Sequence, residues 1–66
     1  MKITVNGEYR DVAVDATVQD VLNALGLDAK TVVVQRNDDI IEKTSYANTI
    51  LQDGDALDLV RFVGGG

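Results

Sequence analysis

The residues of this chain that could take part in chemistry gather at one place, Val63-Gly64-Gly65-Gly66, which holds three of the six glycines. The run before it, Leu57-Asp58-Leu59-Val60-Arg61-Phe62-Val63, alternates apolar and polar residues like a half-buried strand. A strand leading into glycines carries the Gly66 carboxylate on a stalk without side chains. Three glycines extend by about 10 Å at roughly 3.3–3.6 Å per residue, far enough to enter another protein's cleft. The chemistry open to such a group is activation of the carboxylate by a partner, in a tunnel narrow enough to admit only glycine. Taken alone, the same tail also reads as a frayed terminus, a common state of domain ends. It is not a phosphate cradle, because those glycines precede a helix whose N-terminus receives the anion.

The remaining inventory excludes most alternatives. The chain has no histidine, cysteine or tryptophan. The commonest general base, the best protein nucleophile and the usual zinc ligands are therefore missing. Chemistry is expected to be done to this chain rather than by it. Asp53-Gly54-Asp55, with Asp58 nearby, invites a calcium reading but lacks the ligand spacing and closing glutamate of an EF-hand loop. It reads better as a turn before a strand, and Asp38-Asp39 likewise as an exposed turn. Neither acidic pair has a pocket in prospect in so short a chain. No catalytic residue and no metal ligand is assigned.

Sixty-six residues make one domain, 1–66, near the lower limit for a self-sufficient core. Without disulfides, the 45% hydrophobic content must supply the stability. The net charge of −5 and the scattering of Lys2, Arg10, Lys30, Arg36, Lys43 and Arg61 argue against nucleic acid and against an anionic membrane surface. No apolar run approaches a membrane span, and no signal peptide is recognisable. A cytoplasmic location is expected.

The elements that must hold the tail follow from periodicity. Residues 2–6 place Ile3 and Val5 on one strand face, and Asn6-Gly7 suits a two-residue hairpin turn. Residues 8–14 read as the returning strand with Tyr9, Val12 and Val14 as apolar members, their uneven spacing predicting a bulge or register change near Asp11. From Thr17 the period changes. Val18, Val21, Leu22 and Leu25 form a helical stripe, with Thr17 as N-cap, Asp20 completing a capping box, and Gly26-Leu27 closing a Schellman motif. Thr31–Arg36 reads as a strand covered at least partly on both faces, and Asn37-Asp38-Asp39 as a turn. Ile40-Ile41 is a brief return. Thr44 or Ser45 is placed to cap a helical turn with Tyr46, Ala47 and Ile50. Gln52–Asp55 forms the last turn and Ala56–Val63 the last strand. The order predicts an α+β, β-grasp (ubiquitin-like) fold: a mixed sheet of about four to five strands on one main helix, with 64–66 a flexible tail.

Three segments at these spacings carry a family resemblance: Val34-Gln35-Arg36-Asn37-Asp38-Asp39-Ile40-Ile41, Gln52-Asp53-Gly54-Asp55, and Arg61-Phe62-Val63-Gly64-Gly65-Gly66. Over its whole length the chain resembles the bacterial thiamine-biosynthesis sulfur-carrier family, the ThiS proteins. The resemblance implies a carrier whose Gly66 carboxylate is adenylated by a ThiF-like adenylyltransferase that uses ATP and Mg. Persulfide sulfur then displaces AMP to give a thiocarboxylate, and thiazole synthase takes the sulfur. Gly65 and Gly66 carry over as the reactive pair, Gly64 lengthens the stalk, and Phe62 and Arg61 become partner contacts. The carrier would bind no cofactor of its own. The alternatives are a sibling carrier such as the small subunit of molybdopterin synthase, a ubiquitin-like modifier, or a β-grasp interaction module without chemistry. The molybdopterin subunit is commonly longer, with proline before its diglycine, and this chain has no proline.

Overall fold

A computed structural model describes residues 1–61. Five strands and one α-helix are present among them: β1 (Lys2–Val5), β2 (Glu8–Asp11), α1 (Val18–Ala24), β3 (Val32–Arg36), β4 (Asp39–Ile41) and β5 (Ala56–Arg61). Short 3-10 turns at Ala29–Thr31 and Lys43–Ser45 complete the chain. The sheet order is β2-β1-β5-β3-β4, with β1 and β5 parallel and the other pairs antiparallel. This is the expected β-grasp arrangement, with β5 at its centre. No helix among the described residues is long and apolar enough to cross a membrane.

Local sequence explains most boundaries. Asn6 and Gly7 both adopt positive φ (51° and 83°), as a two-residue hairpin turn requires. The Thr17 hydroxyl accepts from the Asp20 N–H at 3.1 Å, and the Asp20 carboxylate accepts from the Thr17 N–H at 2.9 Å. At the other end, Leu27 N–H donates to Leu22 O and Gly26 N–H to Asn23 O, the paired bonds of a Schellman motif around Gly26 at φ 70°. A helix of seven residues is too short to persist alone. Its stability comes from burying Val18, Val21 and Leu22 against Ile3, Val5, Val32, Val34 and Leu57 of the sheet.

Several expectations are corrected. The second strand ends at Asp11, and its register with β1 is unbroken from Lys2↔Asp11 to Val5↔Glu8, so no bulge forms. Tyr9 lies opposite Thr4 on the side of the sheet away from the helix and is 76% exposed. Val14 falls beyond the strand, in a turn that reverses at Asp15 (φ 68°), and is also exposed. The spacing 9, 12, 14 misled because it joins a strand to a turn. Ala16 takes the buried place instead, and Val12 is half-buried against the core.

The turn near residue 45 differs too. It spans Lys43–Ser45 with Glu42 at the N-cap position and no side-chain cap, so neither Thr44 nor Ser45 caps it. Tyr46 follows, 1% exposed, and its hydroxyl donates to Val32 O at 2.7 Å. That bond satisfies the phenol and lets an aromatic side chain fill the core. Ile50 lies outside the turn, bridged to Thr17, and is exposed, whereas Leu51 is buried. In β3, Val32 and Val34 are fully buried, while Val33 and Gln35 on the other side are half-buried. The second face is thus partly covered.

Candidate functional site

The site is the root of the terminal segment, and the sheet positions it. β5 is hydrogen-bonded on both sides, to β1 through Ala56 and Leu57 and to β3 from Leu57 through Arg61. Leu57 is 1% exposed and anchors the strand in the core. The hairpin turn adds to the hold: Asn6 N–H donates to Leu57 O at 2.8 Å, and the Asn6 side-chain oxygen accepts from Leu59 N–H at 2.8 Å. The strand that leads to the tail is therefore bonded along its whole described length.

A polar knot ties down the start of β5. The Asp55 carboxylate accepts from the Gln52 N–H at 2.8 Å, the Arg36 Nε at 2.9 Å and the Asn37 side-chain amide at 3.1 Å. Asn37 in turn accepts from the Ala56 N–H through its side chain and donates its own N–H to Ala56 O. Asp55 is buried, and Arg36–Asp55 is the one ion pair among the described residues. Burial alone would raise the Asp55 pKa. The Gln52 N–H, the Arg36 and Asn37 side chains and the Arg36 charge outweigh it and hold the carboxyl below its ordinary value.

These contacts give the motif residues a purpose that spacing did not disclose. Arg36, Asn37 and Asp55 belong to two of the three segments behind the family resemblance, yet Asp55 read only as a turn residue. Nineteen positions separate Arg36 from Asp55, and only the pairing of β3 with β5 brings them together. With three donors of the chain itself on its oxygens, the Asp55 carboxylate serves the fold.

Arg61 is the one residue of the expected site within the described span; Phe62, Gly64, Gly65 and Gly66 lie outside it, as do the tail's expected flexibility and the last two residues of the expected final strand. Arg61 is exposed and sits opposite Val32, at a register position on the helix side of the sheet. It lines a groove of about 370 Å³ with Arg10, Leu25, Leu27 and Leu59. The open side of the sheet next to it presents Val60 opposite Val33, with Ile40 two strands away; Val60 and Ile40 are both more than half exposed. This patch, rather than Arg61 itself, is the apolar surface beside the root of the tail.

A five-stranded mixed sheet on one helix, with its central strand leading into a glycine-rich segment, defines a ubiquitin-like β-grasp protein. The ThiS family model matches residues 3–66, and the chain belongs to the ThiS family. It is 46% identical over 50 residues to the sulfur carrier protein ThiS of Bacillus subtilis, a match covering 76% of each chain. It is 46% identical over 66 residues to a thiazole synthase of Paramagnetospirillum magneticum, a match that covers this whole chain but 20% of that protein. The chain thus spans about a fifth of the length of that relative. Among solved structures, the crystal structure of the thiamine biosynthesis protein ThiS from Geobacter metallireducens superposes with a TM-score of 0.84 at 36% identity, each chain fully covered.

Proposed function

We propose that this chain is a sulfur carrier for the thiazole ring of thiamine and that the Gly66 carboxylate is its working group. The observation that carries the reading is the family match, which runs through the terminal glycines to residue 66. A ThiF-like adenylyltransferase joins that carboxylate to the α-phosphate of ATP, with Mg, and releases pyrophosphate. A persulfide sulfur attacks the acyl carbon and expels AMP, and thiol cleavage of the S–S bond leaves a thiocarboxylate. Thiazole synthase accepts the sulfur. A relative named thiazole synthase that contains a whole stretch of this kind supports that pairing.

The residues of the chain do the presenting. Residues 62–66 can span at most about 18 Å, so the reacting carbon is delivered while the β-grasp body stays outside the partner. Ordering that segment costs roughly 1–2 kcal/mol per residue in backbone entropy. Contacts on the body must offset the cost, and the Val60–Val33–Ile40 patch is the apolar surface beside the root. The chain holds no thiol, so the activated terminus meets no internal nucleophile stronger than lysine. The protein acts as a co-substrate of its partners rather than as an enzyme, and its site is the cytoplasm.

Incubation with the activating enzyme, ATP and a sulfur source is expected to replace one oxygen by sulfur at the C-terminus, read by intact mass. Deleting Gly66 abolishes that change and leaves the thermal melt within about 1 °C, as expected when a chain loses one terminal glycine. Unmodified protein in the presence of a demonstrably active enzyme defeats the reading. A large loss of stability on deletion would instead make the tail structural.

A further inference from the structure

Two hairpin turns of the sheet share one backbone form and differ in one residue type. Asn6-Gly7 joins β1 to β2 and Asn37-Asp38 joins β3 to β4, and all four residues have positive φ, between 49° and 83°. Each asparagine also fastens β5. Asn6 donates its backbone N–H to Leu57 O and accepts from Leu59 N–H through Oδ1, both at 2.8 Å. Asn37 donates its backbone N–H to Ala56 O at 2.8 Å and accepts from Ala56 N–H through Oδ1 at 3.0 Å. There the likeness ends. The Asn37 amide nitrogen donates to Asp55 at 3.1 Å, so both ends of that side chain are held. The Asn6 amide nitrogen has no hydrogen-bond partner among the described residues, and Asn6 is exposed.

An asparagine side chain and the backbone nitrogen of the next residue can close a five-membered ring, because that nitrogen is an intramolecular nucleophile. Access to the nitrogen decides where this happens. Gly7 has no side chain to cover it, and nothing lies within 4 Å of where a Cβ would stand. Its N–H donates to no group among the described residues. Ala24, Asp38 and Thr49, which follow the other three asparagines, all carry a β-carbon, and Ala24 lies within the helix. Gly54 follows Asp53 and could attack in the same way, but its N–H is bonded to Lys2 O at 2.8 Å. The electrophile is prepared as well. The Leu59 N–H on the Asn6 Oδ1 draws charge from the amide carbon and supports the oxygen as it becomes anionic.

We propose that Asn6 is a site of spontaneous deamidation in the folded chain and that its isoaspartate product loosens β5. Hydroxide takes the Gly7 N–H proton, and the Gly7 nitrogen bonds to Asn6 Cγ. The Cγ–Nδ2 bond breaks, and the amide leaves as ammonia with a proton from water, which restores the hydroxide. A second water opens the succinimide. Attack at Cγ gives aspartate on the original main chain. Attack at the main-chain carbonyl gives isoaspartate, in which the chain runs through Cβ and Cγ. The two products differ for the fold. Aspartate keeps a carboxylate oxygen for the Leu59 N–H. Isoaspartate lengthens the main chain of a tight hairpin turn by one atom, and the oxygen that accepted from Leu59 becomes a peptide carbonyl. The tie between this turn and the strand leading to the terminal glycines is then lost.

The test holds the full 66-residue chain in mildly alkaline buffer, with and without urea. Intact mass, peptide mapping and fragmentation that separates aspartate from isoaspartate follow the products. The expected first product has one NH replaced by O at Asn6, before any change at Asn23, Asn37, Asn48 or Asp53. Its rate in the folded chain should lie within about tenfold of the rate in urea. Gly7→Asp copies the Asn37-Asp38 pair and tolerates positive φ, so it should melt like the parent yet deamidate at least about tenfold more slowly. In the purified isoaspartate form, the Leu59 amide should exchange with solvent at least about tenfold faster than in the parent, while Asn6→Asp leaves it within about twofold. A first product at another residue, a folded rate more than about tenfold below that in urea, or an undiminished rate in Gly7→Asp would each overturn the site. Unchanged Leu59 exchange in the isoaspartate form would overturn the loosening of β5.

Discussion

β5 and β2 belong to one sheet, yet they have opposite fates. In β5, Leu57 is 1% exposed and Leu59 half-buried, while all four residues of β2 are exposed. The difference comes from position. β5 lies between β1 and β3 under the helix, whereas β2 has one neighbour among the described residues. The terminal segment departs from the most heavily bonded strand, and the strand with spare bonding capacity lies at the rim. The segment that the proposed function uses thus starts from the centre of the sheet, while the strand with one neighbour among the described residues lies at its edge.

Three substitutions would break or sharpen that contrast. The largest effect is expected at the centre, where Leu57→Ala removes a fully buried side chain at a cost of about 2–5 kcal/mol in urea unfolding. For a domain with ~5–15 kcal/mol in total, that is enough to unfold a marginal chain. A cost below about 1 kcal/mol would mean that β5 is not the anchor described here.

Next comes the knot below it. Asp55→Asn keeps the shape but leaves donors facing an amide that cannot accept from all of them, and about 1–3 kcal/mol should be lost at neutral pH. Because folding lowers the Asp55 pKa, the stabilisation is fully present above the unfolded value of 3.8 and is lost as pH falls from there through the folded value. Melting temperature against pH should therefore lose part of its acid-side slope in Asp55→Asn. An unchanged slope would remove Asp55 from the account. The smallest effect belongs to the edge. Tyr9→Ser gives up an exposed ring and the Lys2 ammonium 5.7 Å from its centroid, worth no more than about 1 kcal/mol. A loss as large as that of Leu57→Ala would erase the distinction between the two strands.

Where chemistry is local, the residues could be read directly. The Thr17–Asp20 box, the Asn6-Gly7 turn and the Gly26-Leu27 close each depend on atoms within a few positions of one another, and all three form as expected. Where burial depends on which strand covers which, periodicity was not enough. Tyr9 and Val14 read as apolar members of the second strand and are exposed; Tyr46 reads as one member of a short helical turn and is buried with its hydroxyl on Val32. Leu51, unassigned in sequence, is also core.

By itself, then, the sequence determined the helix and its ends, the order of elements and the lack of cysteine and histidine, and it singled out the glycine segment on which the proposed function rests. These follow from short-range sterics, hydrogen bonding and residue types. Tertiary structure alone decided that β5 is central, that Arg36, Asn37 and Asp55 meet across 18–19 positions to secure it, and that Arg61 is aligned with the helix side while Val60 takes the open one. Those outcomes rest on strand pairing and register, where residues distant in the chain become neighbours and a shift of one residue exchanges the two faces.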